Sequence, residues 1–565
     1  MRPPGRGLGP PNPLVVWSKR LVSAHRFLYG LKMQASIVSV EGRCVLSFAP
    51  NAARALPLLL GLAVGCGSPS EGAGSGTGTA TGTATNTTTG TAADTNTAGT
   101  TTAQTNTGTS TTMGQTDTGT SSTDTGTTGP ACPPDQALCG GACVDTQTDV
   151  AHCGACDSPC GDFELCEAGT CQADTMIAQI DAGEVHVCVR TVTGRVRCWG
   201  RNLDGQLGLG HTNDIGDNEL PNTTLDVDLG APALQIAAGR AHTCALVEGG
   251  TVRCWGNNDN LQLGIPGPAL DAPDPAKEVE GVTAAIAIDA GLDHTCALLE
   301  GGAIRCWGHN FIGQLGYGHT SDSLALSDVN VGAPATALAV GATHTCALLD
   351  GGDVRCWGSA GTGELGSGAP TPVIGDDEDP ADGPLAALGG PVVAITAGFQ
   401  FTCALLDDEQ SVLCWGWGSG GRLGYGSTDN VGDDETPASQ GPVALSPNAG
   451  AEAVSDLDGG KHHTCVVFED GAMHCWGRNA AGQLGYGSTN NVGDGETPAD
   501  LGLVPAPPAA MTAGGDHFRC MVTTGGAVRC WGFNAYGQLG YGHTMNLGTN
   551  PNEVPSMLPD VSVFP

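Results

Sequence analysis

The sequence predicts an all-β protein whose C-terminal two-thirds is one supersecondary unit repeated seven times. Three observations carry this. A Cys-Trp-Gly unit returns at Trp199, Trp255, Trp307, Trp357, Trp415, Trp476 and Trp531. Fourteen cysteines fall in pairs ten or eleven residues apart around those tryptophans. Composition agrees: 89 glycines and only 14% charged residues suit turn-rich β structure better than surface helices.

The N-terminal stretch reads as an export signal. ALPLLLGLAVGC, ending at Cys66, is too short to span a bilayer as a mature helix and has the size of a signal-peptide core. Its end, Ala63-Val64-Gly65-Cys66, resembles the bacterial lipobox, with Ala63 where that family prefers Leu. The resemblance implies that Cys66 is lipidated and becomes the mature N-terminus. Residues 1–66 are therefore the expected leader.

Export changes the charge. Of 22 Lys and Arg, eight precede Cys66, against Glu41 alone of the 58 acidic residues. The remainder sets 14 basic residues against 57 acidic ones. Such a surface repels phosphate backbones and anionic headgroups, which disfavours nucleic acid as a partner.

Residues 67–130 are almost entirely Gly, Ser, Thr, Ala and Asn. Nothing there buries a core, so the expectation is a disordered tether with a root-mean-square reach of roughly 40–50 Å. Residues 131–173 carry Cys132, Cys139, Cys143, Cys153, Cys156, Cys160, Cys166 and Cys171 and few large apolar residues. Crosslinks must supply the stability of so small a module. Four disulfides are expected, although Cys153, Cys156 and Cys160 also have spacing at which thiolates hold zinc. Pairing is not deducible from the spacing. The run CVDTQTDVAHCGACDSPC resembles small modules on myxobacterial surface proteins.

From about residue 174 to 565 the unit repeats, its clearest copy being VGATHTCALLDGGDVRCWGSAGTGELG at 340–366. Each copy has two short strands around a Gly-rich turn, then Cys-Trp-Gly, then a second turn usually reading GQLG. A unit of this size cannot bury its own apolar face, so neighbours must stack. In a hairpin centred on the turn, positions ten apart lie opposite each other, within disulfide range. That pairs Cys188 with Cys198, Cys244 with Cys254, Cys296 with Cys306, Cys346 with Cys356, Cys465 with Cys475 and Cys520 with Cys530. Cys403 and Cys414 pair with one extra turn residue.

These motifs resemble the regulator of chromosome condensation repeat, H-[ST]-x-A-L…G-x-V-x-x-W-G…G-Q-L-G. The resemblance covers residues 174–565 and implies a seven-bladed β-propeller with four-stranded blades, in which closure removes exposed sheet edges. The terminal DVSVF is expected to supply the last copy of the strand seen earlier as LDVDL. Repeat two has Leu261 where others have Gly; repeat five has Phe401 where His186, His242, His294, His344 and His463 sit. In repeat seven His517 lies one residue further from its cysteine, which a bulge would explain. One histidine per blade reads as a structural hydrogen-bonding group.

Three loops share an acidic phrase: HTNDIGDNELP, STDNVGDDETP and STNNVGDGETP. Asp217, Glu219, Asp433, Glu435, Asp494 and Glu496 offer oxygen ligands to a cation. They lack the dense spacing of a strong calcium loop, and turn chemistry explains Asp and Asn there.

The favoured function is a non-catalytic, cofactor-free recognition protein, lipid-anchored at the cell envelope and binding an extracellular or cell-surface protein through propeller loops. Membrane contact is expected only through the anchor, and Gly67 in place of Asp favours the outer membrane. One alternative is an extracellular polysaccharide lyase or hydrolase using loop residues such as Lys277 or Lys461. Another is nucleotide exchange on a GTPase, which export, disulfides and acidity oppose.

Overall fold

The computed structural model describes residues 35–40, 43–48, 132 and 136–565, apart from 140–141, 162–163, 275, 325–326 and 446–452. Cys66 and the Thr-rich stretch lie outside the described residues. The described chain divides into two compact units after Val144. The first contains the hairpins Ala35–Val40 with Arg43–Phe48, and Ala137–Cys139 with Ala142–Val144, the latter braced by Cys132–Cys143.

The second unit opens with the hairpin Glu164–Glu167 and Thr170–Ala173, held by Cys153–Cys166 and Cys160–Cys171. Cys156 and Cys139 are also disulfide-bonded, so neither Cys153 nor Cys160 nor Cys156 has a thiolate to offer zinc.

Seven three-stranded antiparallel sheets follow. Blade 1 is Ile177–Ala182, His186–Thr191 and Val196–Gly200; blade 7 is Ala509–Gly514, Phe518–Thr523 and Val528–Gly532. First strands touch one another in a closed cycle, with that of blade 7 against that of blade 1, so they surround an axis. In every blade the paired cysteines face each other across the second and third strands, with Cα atoms 4.0–4.1 Å apart.

The seven Cys-Trp-Gly tryptophans are fully buried between blades. Each indole N–H donates to a backbone carbonyl in the preceding blade. Trp255 bonds Gln206, Trp307 bonds Gln262, Trp357 bonds Gln314, Trp415 bonds Glu364, Trp476 bonds Arg422 and Trp531 bonds Gln483. Trp199 of blade 1 reaches Gln538 of blade 7 at 3.0 Å, which closes the ring.

A second relay runs beside it. His186, His242, His294 and His344 each place Nε2 within 2.8–3.0 Å of a threonine hydroxyl in the next blade. Thr243, Thr295 and Thr345 donate in turn to the carbonyls of Gln206, Gln262 and Gln314. Each of those hydroxyl oxygens must then accept, so the histidine carries its proton on Nε2. Burial pushes His186 down to about 4 and His242 to about 3, keeping the rings neutral.

Three expectations need correction. His463 makes no hydrogen bond through either ring nitrogen among the described residues, because the next blade places Arg519 where the others have threonine. Blades are three-stranded rather than four-stranded. The returning segment meets the third strand at one backbone bond per blade, as with Val227 on Val196 and Val561 on Val528. In five blades its grip comes instead from an arginine of the third strand, a position that holds Leu413 in blade 5 and His474 in blade 6. Arg197 binds Asp226 and the Val563 carbonyl, Arg529 binds Asp560 and the Pro555 carbonyl, and Arg355 reaches the carbonyls of Pro380, Ala381 and Gly383. A guanidinium spreads over several acceptors that a pleated ladder cannot reach together. The Val561 contact makes the terminal DVSVF the counterpart of LDVDL. Nor does a bulge move His517. Phe518 itself takes the histidine position, opposite Gly532, in an unbroken register from Phe518 to Val522.

Replacing Cys346 and Cys356 together by Ser is expected to lower unfolding free energy by about 2–3 kcal/mol through lost loop closure, measured by denaturant unfolding. An imidazole that titrates near 6.5 when unfolded and about 4 when folded stabilises fully above pH 6.5 and less as pH falls. The stability advantage of the parent over His186→Phe should therefore shrink by roughly 2–3 kcal/mol between pH 6.5 and 4, read from paired unfolding curves.

Candidate functional site

Between its first and second strands each blade turns through one glycine: Gly183, Gly239, Gly291, Gly341, Gly398, Gly460 and Gly515. A Cβ on Gly183 would collide with the carbonyl oxygen of Gly239, and one on Gly291 with that of Gly341. Backbone bonds stitch this throat, including Arg240 N–H to the Leu292 carbonyl and Lys461 N–H to that of Gly515. The axial cavity here measures about 80 Å³. Its rim is made by the residues after the glycines: Glu184, Arg240, Leu292, Ala342, Phe399, Lys461 and Asp516. Because Gly200 pairs with His186, the third strand ends where the second begins. The GQLG turns and the loops after them therefore share the rim's face.

Under the rim, carboxylates of the first strands tie blades together. Asp181 accepts from the N–H groups of Ala182 and Ala238, and Asp289 from those of Ala290 and Val340. Burial, then repulsion from Asp289 and Asp458, pushes Asp181 up to about 8. Asp458 is offset by Arg519 at 3.0 Å. These groups act as blade-to-blade acceptors.

Departures from the repeat are most numerous in blades 4 to 7, blade 4 having Ala360 and Glu364 at the asparagine and glutamine positions of the turn. Blade 5 carries Phe401 for histidine, and Gly418 where Asn202, Asn258, Asn310, Asn479 and Asn534 clamp the following turn. It carries Arg422 where five blades have glutamine and blade 4 has Glu364. Trp417 packs near Phe399 with ring centroids 6.4 Å apart, and Phe399 near His462 at 5.5 Å. Lys461 Nζ lies 2.7 Å from Glu184 and 3.7 Å from Asp516. Asp516 also sits 3.5 Å from His462 and 3.7 Å from His517. Burial, then the Arg422 and His517 charges, holds His462 far below its ordinary range. The displaced His517 thus leaves the blade interior to join this rim cluster, its Nδ1 3.3 Å from Gln483 Nε2. An aromatic floor beside convergent cations and carboxylates is the composition of a binding hot spot.

The other predicted residues lie elsewhere. Lys277 pairs with Asp274 on a peripheral loop, whereas Lys461 stands at the centre of the rim cluster. Asp433 and Glu435 approach each other closely through Asp434, and a further acidic trio forms at Asp376, Asp377 and Glu378. Burial, then hydrogen bonding with Asp434, raises Glu435 to about 7. Among the described residues, Asp217 with Glu219, and Asp494 with Glu496, form no such group. Asp217 and Glu219 line a shallow cavity of about 800 Å³ between blades 1 and 7, floored by Arg201 over Tyr536. The acidic phrases also clasp neighbouring blades: the carbonyls of Gly216 and Gly432 accept from the N–H groups of Gly542 and Gly368.

Trp417, Arg422, Arg478, Phe399 and Asp516 were not singled out by sequence. The legible signal was GRLG in the fifth copy against GQLG in most others.

Fold and rim together define a seven-bladed propeller with one chemically distinct sector around its axis. The chain belongs to the RCC1-like family: the RCC1-like domain model matches residues 66–440, and the regulator of chromosome condensation (RCC1) repeat matches residues 454–483 and 470–521. It is 30% identical over 374 residues to the ultraviolet-B receptor UVR8 of Arabidopsis thaliana, covering 66% of this chain and 68% of that protein. Against the human E3 ubiquitin-protein ligase HERC2 it is 29% identical over 323 residues, 56% of this chain but 6% of that protein. Among solved folds, yeast RCC1 (Prp20) bound to Kap60 aligns at a TM-score of 0.51 and 20% identity, covering 68% of this chain and 85% of that one. Human WBSCR16 aligns at 0.50 and 20%, covering 61% and 85%.

Proposed function

We propose that the protein is a lipid-anchored recognition protein of the cell envelope that binds an extracellular protein through the channel-mouth face and carries no catalytic role. The observation that carries this is the aromatic and charged cluster at the rim, set beside the blade 5 turn that departs from the repeat at Gly418 and Arg422. Residues that break a local rule without helping the blades stack mark function in an otherwise self-consistent fold. Phe399, Trp417 and Arg478 combine aromatic area with a guanidinium, the composition favoured at interface centres. The family supplies the precedent of a propeller serving as an interaction scaffold. The anchor at Cys66 and the acidity of the chain after it support placement outside the cell, where seven hairpin disulfides persist.

A test uses the chain from residue 67 onward, immobilised and exposed to cell-surface extract. Capture of a discrete protein is expected, with affinity falling tenfold or more for Trp417→Ala and unchanged for Leu225→Ala, an exposed residue of a return segment. Capture of glycan alone, or depolymerisation of a polysaccharide lost on substituting Lys461, would reverse the assignment.

A further inference from the structure

The blade 5 turn buries a cation that no carboxylate among the described residues pairs with. Arg422 is wholly buried, and its Nε donates to the Ser419 carbonyl at 2.9 Å. Its two terminal nitrogens have no hydrogen-bond partner among the described residues. The guanidinium lies 4.1 Å from the ring centroid of Trp417, and the Arg478 guanidinium lies 5.9 Å from that same centroid. Arg478 makes no ion pair among the described residues and is only partly buried.

The other blades show what the position normally does. Gln206, Gln262, Gln314, Gln483 and Gln538 each accept, through Oε1, the N–H two residues earlier, and Glu364 does the same with a carboxylate oxygen. An arginine cannot accept, so Arg422 forfeits the turn's own hydrogen bond and adds a desolvated charge. Unpaired buried charge is costly, and a second cation nearby raises the cost. Among the described residues no carboxylate forms an ion pair with Arg422 or Arg478.

We propose that Arg422 and Arg478, framed by Trp417, form a binding site for a compact oxyanion, a carboxylate or a phosphate. A planar guanidinium with free N–H groups matches the two-oxygen edge of either group, and the second arginine supplies additional charge. Trp417 and Arg478 are partly exposed, so the ligand approaches from the side on which they reach the surface. Burial, then the Arg478 charge, pulls the Arg422 guanidinium down to about 9, the direction an incoming anion reverses. The site stands independently of whether the rim binds a protein. The oxyanion comes either as a free ion or on an acidic side chain.

The experiment uses the exported, disulfide-bonded protein in chloride buffer of constant ionic strength. Probes are inorganic phosphate and a short glutamate-rich peptide, read by calorimetric titration and by melting temperature. Expected is saturable binding of at least one probe, with a melting-temperature rise of about 2 °C or more at saturation. Binding of phosphate alone assigns a free ion; binding of the peptide assigns a side-chain carboxylate. Arg422→Gln restores the residue other blades use. It should melt no lower than the parent in the absence of probe while weakening binding at least tenfold, and Arg478→Gln should weaken binding while leaving the fold intact. Absence of saturable binding by both probes, or binding unchanged in both variants, overturns the proposal. So does a probe-free Arg422→Gln protein melting below the parent.

Discussion

The structure depends on one hydrogen bond made seven times: an indole N–H of one blade donating to the backbone carbonyl of the turn before it. Burying a tryptophan removes a large apolar area from water, but only if its N–H finds an acceptor. The carbonyl two residues before the final glycine of each GQLG-type turn is that acceptor. The bond sets the distance between neighbouring blades and fixes which face of a sheet meets which face of the next. Because Trp199 closes on Gln538 in the same way, the ring needs no exchanged strand to complete it. The hairpin disulfides work at another level. They hold each blade's second and third strands in register, while cohesion between blades comes from tryptophan, histidine, threonine, the first-strand carboxylates and backbone bonds between loops.

Much of this was legible in the residues. Cysteines ten apart around a Gly-Gly turn dictate opposed positions, and Cys-Trp-Gly marks the strand that follows. The thinning of the fourth strand was less legible. Val227 and Val561 look like strand residues, yet the arginines at 197 and 529 satisfy much of the return segment with side chains. His517 misled for a related reason. Reading by residue type attached it to the histidine position, whereas strand register assigns that position to Phe518.

The rim cluster was harder to see because it is assembled from four blades. Glu184, Phe399, Lys461 and Asp516 are far apart in sequence and meet only because every blade delivers one residue to the axis. Lys461 was legible as an ionisable loop residue, but its partners were not. The buried charge of Arg422 was readable as a letter change within GQLG. Its consequence required knowing that the replaced glutamine normally accepts a backbone N–H.

The glycine throat separates two tasks that most binding surfaces must perform together. Each glycine lets adjacent backbones approach so closely that the path of the chain is settled before the next side chain begins. That next position holds glutamate, arginine, leucine, alanine, phenylalanine, lysine and aspartate in successive blades. Seven different chemistries on one invariant backbone mean that evolution can rewrite the display around the axis, letter by letter, without renegotiating the fold beneath it.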